Sequence, residues 1–239
     1  MLIQACLNGA RRKGEHRGVP LSAADLARDA AACVAAGARS LHVHPRDGDG
    51  AESLEAAVIE EAIAAIRSAA RGTELTLSTG LWIADGDPEA RAALIGAWTV
   101  LPDACSVNVG EPGWRELVKL LAERGVGVEA GIWSHDEAVE FAASGLEDRC
   151  LRALVEPQER EPGAAMVTAA AIDGVLGEVG IGLPRLHHGY DAATWMVLDA
   201  AVPAGRDIRI GFEDTLTLPN GVPARDNAAL VAAARDRYV

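Results

Sequence analysis

The segment Leu41–Asp47, LHVHPRD, alternates leucine and valine with two histidines and then breaks into Pro45, Arg46 and Asp47. In an extended strand residues i and i+2 share a face, so His42 and His44 point one way and Leu41 and Val43 the other. The strand reads as Arg39–His44, ended by the proline. It is apolar on one face and offers ligand chemistry at its C-terminal end.

Working outward, the same texture recurs. Further strands are expected at Leu2–Asn8, Glu74–Thr79, Ala104–Val109, Gly127–Ile132, Arg149–Val155, Leu183–His187 and Asp207–Phe212. Between and after them lie Ala/Leu-rich runs of helical period: Ser22–Ala36, Glu55–Ala70, Pro88–Trp98, Trp114–Arg124, Asp136–Ala143, Pro162–Val179, Ala192–Ala201 and Asp226–Arg237. Ser22 with Asp25 spells a capping box, Gly37 a C-terminal stop, and Pro88 a first-turn proline. The strand starts recur roughly 22 to 37 residues apart, the size of repeated βα units. Eight such units are the arithmetic of an α/β protein of the (β/α)8 TIM-barrel type, with residues 1–239 as a single domain. A doubly wound open sheet would also alternate, but the strand count and the lack of a GxGxxG turn after the first strand favour the barrel.

Bulk composition narrows the function. The chain has 239 residues, is 49% hydrophobic, and carries a formal charge of −13. With no basic stripe on such an acidic chain, no nucleic-acid partner is expected. Cys6, Cys33, Cys105 and Cys150 are widely spaced in apolar segments, which reads as reduced thiols. No apolar run is long enough to span a bilayer, so no membrane partner is expected. The N-terminal apolar run precedes the basic cluster, the wrong order for a secretory signal, and a cytoplasmic location is the expectation.

A (β/α)8 barrel gathers its chemistry at the C-terminal ends of its strands. Those ends carry Asn8, His42 with His44, Ser78 with Thr79, Asn108, Glu129, Glu156, His187 with His188, and Glu213 with Asp214. Two inward imidazoles suit a zinc ion, which takes three protein ligands in a catalytic site; alternatively one packs and the other hydrogen-bonds a carboxylate. Glu213, at the end of a strand rising through Arg209, is the candidate third ligand, or else the partner of Arg46 or Arg209. Asp214 is a candidate general base, and Arg209 a candidate for gripping a carboxylate or for an internal ion pair. Ser78-Thr79-Gly80 and Asn108 offer donors to a carboxylate, or simply turn the chain. Glu129, in an apolar strand, is costly unless paired. His187 and His188 are adjacent, so at most one of them enters a site.

Taken together, NGA after the first strand, HxH followed by Arg46-Asp47, STG, an Asn-x-Gly turn, the strand-five Glu129 and the R-x-G-x-E-D of Arg209–Asp214 resemble the β-keto acid cleavage enzyme family, which includes 3-keto-5-aminohexanoate cleavage enzyme. The resemblance runs from Leu2 to about Ala234. It implies a zinc-dependent TIM barrel, a homotetramer, that exchanges a β-keto acid and acetyl-CoA for acetoacetate and a new acyl-CoA. It also implies His42, His44 and Glu213 as metal ligands, Asp214, Arg209 and Glu129 as catalytic groups, and Ser78 with Thr79 and Asn108 at the substrate. Two positions depart from the family's pattern. Arg11 stands where the family has a glutamate, with Glu15 nearby but out of register, and Glu111 stands where it has a threonine. An arginine on that first loop suits an acidic substrate end, with Glu111 as a partner for it. Relatives also continue for some tens of residues beyond helix eight, which bears on CoA handling. A different metal-dependent aldolase, lyase or hydrolase of a small carboxylate on the same barrel is the alternative.

Overall fold

The structure, a computed structural model, describes residues 1–12 and 14–239. Lys13, in the basic cluster after the first strand, lies outside the described residues. These residues form a closed parallel barrel whose strands follow one another in chain order. The strands are β1 (Ile3–Cys6), β2 (Ser40–Val43), β3 (Glu74–Ser78), β4 (Ala104–Asn108), β5 (Gly127–Ile132), β6 (Arg152–Val155), β7 (Arg185–His187) and β8 (Asp207–Ile210). The helices are α1 (Ala23–Ala36), α2 (Ala56–Ala69), α3 (Pro88–Gly96), α4 (Trp114–Glu123), α5 (His135–Ala142), α6 (Pro162–Glu178), α7 (Thr194–Ala201) and α8 (Asn227–Tyr238).

The helix ends follow local chemistry. Ser22 accepts the Asp25 amide at 3.1 Å, Asp25 answers from its side chain, and Gly37 closes α1 at φ +123°. Glu161 accepts two amides ahead of Pro162, and Asp226 accepts the Ala229 amide at 2.8 Å to start α8. Strand pairing fixes which residues share a face. Gln4 pairs with Ser40, Cys6 with His42 and His42 with Thr76. The polar members of β1 to β3 therefore lie together on one face, and Leu41, Val43, Leu75 and Leu77 on the other, all fully buried.

The tertiary contacts fall into two compact units. One comprises Leu2–Ser78, Ala93–Asp103 and Arg209–Val239; in it α1 packs on α2 and α8. The other comprises Met1, Thr79–Ala92 and Ala104–Ile208; in it α6 packs against α5 and α7.

Every strand but β5 is shorter than its sequence suggests, and the last three show why. Arg149, expected in β6, instead closes a single 3₁₀ turn, Glu147–Arg149, and pairing starts at Arg152. β7 begins at Arg185. β8 stops at Ile210, so Glu213 is delivered by a turn and not by a rising strand. The amides of Asp214 and Thr215 both bond the Gly211 carbonyl, at 3.0 and 2.9 Å. Gly211 is required there, because a Cβ would fall 1.9 Å from the Cys6 carbonyl oxygen.

Between α1 and α8 lies a half-buried carboxyl. Asp29 accepts the Asn227 side-chain amide at 2.6 Å. Burial pushes its carboxyl up to about 6 against this hydrogen bond, with the Asp226 charge adding to the rise. The native state therefore binds a proton that the unfolded chain, titrating near 3.8, has already released. Stability from this group is present below pH 4 and is lost as pH rises through about 6. Asp29→Asn is expected to raise the melting temperature at pH 8, by up to about 3 kcal/mol of stability, and to leave it unchanged near pH 4. Thermal melts across that range check this; an equal shift at both pH values contradicts it.

Candidate active site

The residues around the HxH pair all belong to the unit that holds β1 to β3 and the β8 exit. His42 lies in β2, and His44 follows it after the strand has ended. Their Nε2 atoms face each other at 3.2 Å. Glu213 completes the group: its Oε2 is 3.8 Å from His42 Nε2 and its Oε1 3.5 Å from His44 Nε2. Suitable ligand atoms of all three residues lie within 4.8 Å of one another. Two donors about 2.1 Å from a shared zinc at the tetrahedral angle lie about 3.4 Å apart. The observed separations sit around that value, so His42, His44 and Glu213 could hold a metal ion.

Each imidazole is oriented by a partner at its other nitrogen. His42 Nδ1 is 2.9 Å from Thr76 Oγ1, and His44 Nδ1 bonds the Glu52 carboxylate. Such partners set the tautomer that leaves Nε2 for the metal. Burial alone would lower the His44 pKa, but the charges and hydrogen bonds of Glu213 and Glu52 carry it to about 9. Burial would likewise raise Glu213, yet Arg209, His44 and His42 hold its carboxyl well below the usual range. The carboxylate thus favours positive charge in this cluster, and a metal bound there would displace the imidazole proton.

Arg209 reaches Glu213 with Nη2 and lies 3.6 Å from Asp214 through Nε. It thus forms the internal ion pair, touching both carboxylates of the turn. Asp214 is fully buried and accepts a hydrogen bond from Cys6 Sγ at 2.6 Å. Arg46 binds the main-chain carbonyls of Gly9, Arg11 and Gly50, at 2.6, 3.0 and 2.9 Å. Arg11 donates to the Phe212 carbonyl at 3.1 Å and pairs with Glu15 at 3.1 Å. Ser78 ends β3 on the Thr76 face, buried.

The remaining candidates belong to the other unit. Thr79 is fully buried and donates to the Ser106 carbonyl at 2.5 Å. Asn108 donates to Glu111 at 2.8 Å. Glu111 also accepts the Leu81 amide at 3.1 Å and the guanidinium of Arg91. Its arginine is therefore Arg91, where the sequence suggested Arg11. Arg91 is 1% exposed and bonds the carbonyls of Thr79 and Pro112, so it ties the β3 exit to the β4 exit. Glu129 is fully buried, with Arg152 Nε 3.6 Å away. Glu156 accepts the Tyr190 hydroxyl at 2.6 Å and lies 3.5 Å from His188 Nε2. His187 points the other way, to Asp173 of α6 at 3.4 Å, as adjacent strand residues must.

Sequence reasoning passed over Thr76, Glu52, Arg91, Arg152 and Cys6. For Thr76 a signal existed, since the alternation in Glu74–Thr79 puts it on the Ser78 face. For Glu52 and Arg91 none did, because loop folding and helix packing decide where they go.

A parallel barrel with such a donor group at its strand ends is an enzyme of the (β/α)8 class. The chain belongs to the β-keto acid cleavage enzyme family, whose model matches residues 1–156 and 163–238. It is similar to the 3-keto-5-aminohexanoate cleavage enzyme of Fusobacterium nucleatum subsp. nucleatum, with 26% identity over 97% of this chain and 88% of that protein. The enzyme of the same description from Acetoanaerobium sticklandii is 23% identical over 97% of this chain and 89% of its own length. Among solved structures, a binary complex of ObcA with oxaloacetate superposes with a TM-score of 0.72 at 16% identity. A ternary complex of ObcA with a C4-CoA adduct and oxalate gives 0.71 at 15%. This chain spans 63% of the length of each of those chains, and at that identity the likeness is one of fold. No helix among the described residues is long and apolar enough to cross a membrane.

Thr76→Val and Glu52→Gln each remove an orienting partner and keep the three ligands. Each is expected to weaken the binding of a divalent metal about 10- to 100-fold, read by competition with a chromophoric chelator. Unchanged affinity in both contradicts the orienting role.

Proposed function

We propose that the chain exchanges a β-keto acid and acetyl-CoA for acetoacetate and a new acyl-CoA, reversibly, with zinc held by His42, His44 and Glu213. The observation that carries this reading is the convergence of those three ligands beside the Arg209–Asp214 pair. Family membership and the names of the two curated relatives support the reaction class. ObcA, complexed with oxaloacetate and with a CoA adduct, is a barrel of the same fold that binds a keto acid and a CoA derivative.

When bound, the metal supplies Lewis acidity at the substrate's keto oxygen. Asp214 takes the proton from the carbon between the substrate's carboxylate and keto groups. Arg209 holds Asp214 and Glu213 in position, and Cys6 orients the Asp214 carboxylate through its thiol. Ser78 receives the substrate carboxylate. Thr79 and Glu111 act through the loops they hold, since Ser106, Leu81 and Arg91 engage their polar atoms. Glu129 keeps a buried charge pair with Arg152 under the strand ends. Arg11 on the first loop favours a substrate with an acidic tail and disfavours the ammonium of an amino-substituted one.

Asp214→Asn is expected to keep its metal and lose turnover about a hundred- to ten-thousand-fold. His42→Ala is expected to lose metal and activity together. A panel of β-keto acids with acetyl-CoA, read by acetoacetate formation, tests the reaction, and a keto acid with a second carboxylate is expected to be turned over best. Full activity without acetyl-CoA, or in metal-free His42→Ala protein, overturns the reading.

A further inference from the structure

We infer that two buried asparagines, Asn8 just past β1 and Asn227 at the start of α8, are positioning residues for the metal ligands, both acting through the end of β1. The inference rests on the metal reading above and concerns how this chain holds the ligands in place.

Asn8 is fully buried just past β1, and its side chain spans the backbone of one ligand. His44 N–H donates to Asn8 Oδ1 at 2.9 Å, and Asn8 Nδ2 donates back to the His44 carbonyl at 2.8 Å. Its second amide hydrogen goes to the Pro20 carbonyl at 3.2 Å. β2 has ended at Val43, so ladder pairing no longer fixes His44 and the side chain of Asn8 does. A residue with only one hydrogen-bonding role could not read both backbone groups at once.

Asn227 does the same for the other side of the site. Also fully buried, it accepts the Phe212 amide at 2.6 Å, immediately before Glu213. Its Nδ2 donates to the Leu7 carbonyl at 2.8 Å and to Asp29 at 2.6 Å. The two asparagines therefore bear on consecutive β1-exit residues, Leu7 and Asn8. Between them the chain makes further direct contacts with the ligand-bearing segments. Leu7 N–H donates to the His42 carbonyl at 2.9 Å, and Glu213 N–H to the Cys6 carbonyl at 3.4 Å. Gly9, at φ +52°, leaves room for Glu213, whose Cγ would lie 2.3 Å from a Cβ there. Residues 6–9 thus form a template against which His42, His44 and Glu213 are all referenced. With all polar atoms of both amides engaged, each asparagine has little freedom to yield.

A purely structural role would show as lost stability alone, and a matched control separates the two. Gln4 lies near the other end of β1, fully buried, and donates to Ser40 Oγ at 3.0 Å. Asn8→Ala, Asn227→Ala and Gln4→Ala each delete one buried amide. The dissociation constant for zinc, from chelator competition, is measured beside the melting temperature of the metal-free protein. The expectation is that all three melt lower, while only the asparagine variants lose zinc affinity, by about 10- to 100-fold. Should an alanine variant not fold, Asn8→Thr and Asn227→Ser keep one hydrogen-bonding oxygen and are expected to lose less affinity in the same direction. Wild-type affinity in the asparagine variants, or an equal loss in Gln4→Ala, overturns the inference and leaves the metal reading standing. A wild-type protein that binds no zinc overturns both.

Discussion

Glu213 is a carboxylate largely withdrawn from water, yet its surroundings favour its ionised form. Its neighbours make that tolerable: a guanidinium on one side and two imidazoles on the other. An unpaired buried carboxylate would instead take up a proton and cease to be a ligand. Much else around β1 and β2 follows from this constraint. Arg209 is committed to the turn, Gly9 and Gly211 give up their side chains to let the turn close on β1, and the imidazoles present Nε2 because Thr76 and Glu52 hold Nδ1.

The turn after β8 also explains how one short segment serves two roles. Glu213 faces the imidazoles, and Asp214, the next residue, lies fully buried against the Cys6 thiol. A continuing strand would have sent these neighbours to opposite faces. Ending the strand at Ile210 and folding onto the Gly211 carbonyl lets both carboxylates reach Arg209. The (β/α)8 framework supplies rigid strand ends, and short glycine-dependent turns bring the chemistry to its place.

Much of this could be read from the chain itself. Short apolar runs ending in polar residues marked the strands, and the capping box at Ser22 and the proline at Pro88 marked helix starts, because these signals are local. The pairing of His42 with His44 was legible because HxH fixes two side chains on one face by geometry alone, whereas Glu213 reaches them by a turn that the alternation did not show. What escaped depends on distant packing. Glu52 reaches His44 only because the Arg46–Glu52 loop folds back on itself. Arg91 is buried by the loops it ties together, although nothing in α3 sets it apart from a solvated arginine. Glu111 looked like a partner for Arg11 because both depart from the family's pattern, yet the β4 exit delivers it to Arg91. The extra reach given to β8 failed because a turn and a strand end look alike when the residue between them is glycine.

X-ray absorption at the metal edge of zinc-loaded protein tests the central claim most directly. The account predicts one zinc per chain with only nitrogen and oxygen neighbours at about 2.0–2.1 Å and the outer-shell scattering of two imidazoles, one of which disappears in His44→Ala. A sulfur neighbour at about 2.3 Å, which would bring in Cys6, or a spectrum unchanged by that substitution, would contradict it.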